Sequence, residues 1–205
     1  MSRTDFDALV CFAQSLAPVK VRGQDLPRLW FFTDRARISD PTAVMRDLPS
    51  GSGVVLRDYV ALNRADLAAE LARLAQEQGL IFLVGEDAEL ARRVQAHGLH
   101  LPERSLERLR AARAAWPEAL LTTSAHSRAA LAAAHRAGAD AAFLAPVFAT
   151  ASHPGAPSLG IDKLTTLLEN APLPVIALGG IDGTTVARLE GLPLAGIAAI
   201  GAMTP

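Results

Sequence analysis

The chain holds one cysteine, Cys11, in 205 residues, so no disulfide can form within it. Long apolar runs are missing as well. None approaches the roughly 20 residues that a membrane-spanning helix needs. Charge of either sign is in balance, with a formal net of −1 and no basic block, which argues against nucleic acid as a partner. The first residues mix charged and polar side chains and lack the apolar stretch of a signal peptide, so a cytoplasmic protein is expected. No Cys/His grouping has zinc spacing. Aromatic residues make up only 5% of the chain, and Trp30, Phe31 and Phe32 stand together in one apolar run that reads as core. Cys11 lies in an amphipathic run and is expected to be a buried packing residue.

What the chain does have is apolar residues, at 50%, enough for one domain of residues 1–205 with a sizeable core. Strand-like apolar runs alternate with helical periodicity along its length. Strands are expected at 29–33, 53–57, 80–84, 98–101, 119–124, 140–145, around 174–178 and around 194–200. Helices are expected at 41–48 with Asp40 as N-cap, 64–78 closed by Gly79, 88–96, 106–116, 128–136, 161–170 and 184–189. Eight βα units of this size suit an α/β fold of the closed (βα)8 TIM-barrel type. A flavodoxin-like open sheet is the alternative, because counting strands does not prove closure. No eighth helix follows the last strand. Residues 1–20 read as an N-terminal helical extension, with apolar positions at helical spacing over 6–16. Either that helix or a second subunit of a homo-oligomer should cover the bare face between the first and last strands.

The last two strands carry the strongest functional signal. Pro174-Val-Ile-Ala-Leu-Gly-Gly-Ile181 and Leu194-Ala-Gly-Ile-Ala-Ala-Ile-Gly201 both end in glycine. Glycine at a strand end lets backbone N–H groups approach a ligand closely, and uncharged N–H groups can hold a phosphate. In an eight-fold barrel the phosphate cradle lies after strands seven and eight. Gly179, Gly180 and Gly201 are therefore the candidate phosphate ligands.

From the fifth strand onward the pieces Ser124-Ala-His-Ser127, Ala137-Gly-Ala-Asp140, Ala145-Pro-Val-Phe-Ala-Thr150, Leu159-Gly160, Ile176-Ala-Leu-Gly-Gly-Ile181 and Ile200-Gly201 occur in a set order. By these the chain resembles the thiamine phosphate synthase and thiazole tautomerase superfamily. The resemblance implies the barrel, a phosphorylated thiazole as small-molecule partner, and Thr150 and Ser152 near the thiazole. In the synthases a thiazole phosphate attacks an aminopyrimidine pyrophosphate, with magnesium on the leaving group. Several positions of that second half depart from the pattern. Of the family's Gln-Leu-Arg-x-Lys only Arg57 keeps its charge, since Val55 and Tyr59 stand at the ends. Gly85, Glu86 and Asp87 replace Asn-Asp-Arg, Ser105 replaces an aspartate, and His153 replaces a lysine. Pyrophosphate departure needs concentrated positive charge, which these changes reduce.

The reading placed first is therefore an isomerase of the tautomerase type, with His126 as acid/base, since moving a proton near neutrality calls for a group such as imidazole. It requires no cofactor. The alternative is a divergent synthase using Arg57, in which magnesium would sit on Glu86 with help from Glu103. A third reading is a non-catalytic sensor that keeps the phosphate cradle. His100, at the end of the fourth strand, is a second catalytic candidate, set against a hydrogen-bonded core histidine. Arg57 could bind a carboxylate or phosphate, set against a structural pair with Asp34. Ser124 and His153 complete the candidate ligand contacts, the latter in a Pro/Gly-rich loop. Asp182 reads as a cap for the turn that follows it.

Overall fold

The computed structural model describes residues 3–150 and 157–203. Eight parallel strands close into a barrel: β3 (Leu29–Phe32), β4 (Gly53–Leu56), β5 (Ile81–Gly85), β6 (Gly98–Leu101), β7 (Leu120–Ala125), β8 (Ala141–Leu144), β9 (Val175–Leu178) and β10 (Gly196–Ala199), with β10 pairing back to β3. The open-sheet alternative is thereby excluded. Six helices lie between successive strands: α2 (Pro41–Asp47), α3 (Arg64–Gln78), α4 (Ala88–Arg93), α5 (Leu106–Ala115), α6 (Arg128–Arg136) and α7 (Gly160–Leu168). Between β9 and β10 the expected helix is a short 3₁₀ turn, Val186–Leu189. Asp182 caps that crossing, accepting from the backbone N–H groups of Thr184 and Thr185.

Local signals set these boundaries. Asp40 Oδ1 accepts from the N–H of Thr42 and Ala43 ahead of Pro41, a strong start for α2. Gly79 takes a left-handed φ of 65° and stops α3. Gly53 has a packing reason instead. A Cβ there would lie 2.1 Å from the indole of Trp30, which fills the barrel interior.

The interior is a ring cluster. Trp30 and Phe32 meet Phe143 edge to face at centroid distances of 5.3 and 4.8 Å, and His100 joins them. Phe31 points outward to the larger core beneath the helices. The expectation for this aromatic run is met.

The N-terminal segment departs from a helix through residue 20. The helix α1 (Arg3–Ser15) ends earlier, and a two-stranded antiparallel hairpin, β1 (Lys20–Val21) and β2 (Gln24–Asp25), follows it. Arg22 and Gly23 both take positive φ, 51° and 78°, as a tight two-residue hairpin turn requires. Val19, Val21 and Leu26 pack onto the interior cluster from the barrel's N-terminal end. Arg22 fastens the hairpin, with Nε 2.7 Å from Asp140 Oδ1 and Nη1 donating to Pro117 O. Arg113 binds the other oxygen of Asp140 at 2.5 Å.

The helix α1 lies over β3, β10 and the closing 3₁₀ turn, Gly201–Met203, where an eighth helix would otherwise sit. It buries Phe6, Leu9, Phe12 and Ala13 there. Cys11 faces away from them and is exposed, correcting the expectation of burial. It stands one position off the stripe formed by Leu9, Phe12 and Ala13. No helix among the described residues is long and apolar enough to cross a membrane.

Candidate functional site

The C-terminal ends of the strands gather the candidate residues at one mouth. On the β3–β4 side is a cleft of about 590 Å³, lined by Thr33, Asp34, Arg35, Arg57, Asp58 and Tyr59 among others. Its floor is rigid. Thr33 Oγ1 donates to Asp58 Oδ2 and accepts from the N–H of Arg57, while Asp58 Oδ1 accepts from the N–H of Arg35. Arg57 Nη2 lies 2.5 Å from Asp34 Oδ2, so the structural pair weighed for this arginine exists, and Arg37 reaches the same oxygen at 3.4 Å. Arg57 nevertheless lines the cleft with its side chain partly exposed. Tyr59 leans over Gly85, and burial followed by the nearby Glu86 charge raises its hydroxyl pKa.

His100 is not at the surface of the mouth. It is 2% exposed. Nδ1 lies 3.0 Å from Thr122 Oγ1 and Nε2 lies 3.2 Å from Ser124 Oγ. Burial, then the Arg57 charge, lowers its pKa to about 3. Its burial and its two hydroxyl contacts support the competing reading of a hydrogen-bonded core histidine over that of a catalytic acid/base. Ser124, half-buried above it, is the polar group it presents upward.

His126 is accessible. It follows β7 directly, and its Nδ1 lies 2.6 Å from Ala145 O at the end of β8. A carbonyl only accepts, so Nδ1 carries the proton. Nε2 faces Glu103 Oε2 at 3.9 Å. That oxygen is buried without a hydrogen-bond partner. The sequence reading gave Glu103 no part beside His126, although its place just past β6 in Leu101-Pro-Glu103 put it at the mouth.

Gly179 and Gly180 end β9 with φ of 98° and 66°. A Cβ on Gly180 would stand 2.4 Å from Ala149 O, and one on Gly179 2.8 Å from Pro146 Cα. The strap 146–149 lies against them, with Val147 N donating to Leu178 O and Phe148 N to Gly179 O. These glycines therefore have a packing role beside the expected ligand role. Gly201 differs, since a Cβ there would meet no atom within 4 Å. β9 and β10 are neighbours, so the three glycines share one side of the mouth. Thr150 is half-buried at the end of the strap. Ser152 and His153 lie outside the described residues.

The metal expectation meets a crowded turn. Glu86 Oε1 accepts from Arg104 Nη2 at 2.9 Å, and Arg108 Nη2 donates to Glu86 O. Asp87 caps α4 through Leu90 N and faces Arg64 Nη1 at 3.4 Å. Ser105 supplies no carboxylate. Among the described residues no group of three or more His, Cys, Asp or Glu side chains is placed to hold a metal. The donor set does not fit magnesium.

Comparison with known proteins agrees with this architecture. Residues 30–203 match the family model described as thiamine monophosphate synthase. A putative thiamine-phosphate synthase 2 of Aquifex aeolicus is 35% identical over 77% of this chain and 87% of its own length. The thiamine-phosphate synthase of Lactococcus lactis strain IL1403 is 30% identical over 69% of this chain and 66% of its own. Among solved structures, a thiamine phosphate pyrophosphorylase from Pyrococcus furiosus superposes with a TM-score of 0.72 at 24% identity, covering 86% of each chain.

Proposed function

The chain belongs to the thiamine monophosphate synthase family, and from that membership we propose that it joins a thiazole phosphate to an aminopyrimidine pyrophosphate. The observation that carries this reading is the family match across nearly the whole barrel, with relatives of 35% and 30% identity named as a putative synthase and a synthase. It reverses the order in which the sequence alone ranked synthase and isomerase. In this reaction the thiazole nitrogen forms a bond to the pyrimidine methylene carbon as the carbon–oxygen bond to pyrophosphate breaks. The glycine turns after β9 and β10 would hold the thiazole phosphate. The Ser124 hydroxyl would orient the heterocycle above the ring cluster. Arg57 would attract the leaving anion.

A proton shift within the thiazole remains the second reading, favoured by one observation. His126 is an accessible imidazole with Nδ1 pinned and Nε2 turned to a carboxylate. NMR separates the readings. The protein is incubated with the thiazole carboxylate phosphate tautomer, and aminopyrimidine pyrophosphate is added afterwards. Thiamine phosphate signals only after the second addition support the synthase. Conversion by the protein alone supports the isomerase. Line broadening without conversion rejects both and leaves a binding protein.

A further inference from the structure

Most oxygens of residues 85–87 are already served by protein cations or backbone amides. Arg64 Nη2 donates to Gly85 O at 2.5 Å, and Arg64 Nη1 faces Asp87 Oδ2. Arg104 binds the Glu86 carboxylate, and Arg108 binds the Glu86 carbonyl. The Glu86 N–H donates to His100 O at 2.9 Å, and Leu90 N takes the remaining oxygen of Asp87. Glu86 itself takes a left-handed φ of 59°, a backbone setting that a side-chain-bearing residue holds only when its surroundings impose it. Three guanidinium groups thus converge on one tight turn. A divalent cation placed there would displace a guanidinium from its carboxylate and then sit beside the displaced positive charge.

We propose that Arg64, Arg104 and Arg108 take the place of a divalent cation at this turn, so that the mouth handles anionic ligands without metal. The inference concerns the mouth used by the proposed transfer reaction, but it rests on the donors of residues 85–87 alone.

The test is a manganese titration of the full chain followed by EPR, in which free Mn²⁺ gives the signal. The expected result is full signal amplitude into the millimolar range. Binding that Glu86→Gln abolishes overturns the proposal. Binding that survives Glu86→Gln puts the ion elsewhere and leaves the turn to its arginines. Calorimetry with inorganic pyrophosphate adds a second readout. Equal affinity in EDTA and in excess magnesium is expected. A gain of about tenfold with magnesium that is lost in Glu86→Gln overturns the proposal. Failure of pyrophosphate to bind in either buffer would count against the transfer reaction, and the manganese result would still decide the metal question.

Discussion

His126 and Glu103 face each other across 3.9 Å, imidazole Nε2 to carboxylate Oε2, while the opposite ring nitrogen is fixed on the carbonyl of Ala145. The ring therefore has one nitrogen committed to the scaffold and one turned to the mouth. If a proton shift is the reaction, His126→Ala should lower turnover at least about 100-fold while ligand affinity stays largely unchanged. Paired measurements of turnover and of ligand affinity check this. Turnover near wild type in the variant would remove His126 from the chemistry.

His100 should leave a mark on stability. Its pKa falls from 6.5 to about 3 in the folded protein, chiefly through burial. Between those values the unfolded chain holds the extra proton, so stability rises with pH. The contribution is complete above the unfolded value and is lost as acid carries the pH down toward the folded one. The steepest loss is about 1.4 kcal/mol per pH unit. Urea unfolding of wild type and His100→Gln across this window should show a shallower pH dependence in the variant. Parallel curves would mean that other groups govern acid sensitivity.

The glycines at the mouth separate packing from binding. Gly180→Ala would drive a methyl group against Ala149 O at a φ of 66°. A stability loss of about 1–3 kcal/mol is expected. Gly201→Ala meets nothing nearby, so its thermal midpoint should hold, while affinity for a thiazole phosphate falls about tenfold if the phosphate sits there. Unchanged affinity in Gly201→Ala would move the phosphate away from β10.

Leu9, on the inner face of α1, is fully buried. Truncating it should cost about 2–5 kcal/mol, read by urea unfolding. A cost near zero would show that α1 is not the cover that β3 and β10 need.

Much of this molecule is legible in its residues. Asp40-Pro41 starts α2 and Gly79 stops α3, because caps are local chemistry. The apolar strands and intervening helices predict a parallel α/β sheet, but its closure is visible only in the pairing of β10 with β3. The hairpin at residues 20–25 escapes notice because its strands are two residues each, too short for alternation to register, although Arg22-Gly23 was a turn signal. The crossing at 186–189 carries apolar spacing yet is too short to become more than a 3₁₀ turn. Within the site, the pairing of Arg57 with Asp34 was foreseeable, since both follow adjacent strands. The meeting of Glu103 with His126 and of Arg64, Arg104 and Arg108 at the 85–87 turn was not. These contacts join side chains from different strand ends and helices, whose approach depends on barrel closure.

The position of α1 also has a consequence for the order of assembly. Its apolar face is synthesised at the start of the described chain, but β10 and the Gly201–Met203 turn that it covers come at the far end. On the ribosome, α1 can meet β3 early, but its neighbours on β10 and the closing turn emerge only after nearly the whole barrel. A contact of such long sequence separation forms late and leaves a sticky surface in the nascent chain. The contact that covers the seam of this barrel thus joins its first helix to its last strand.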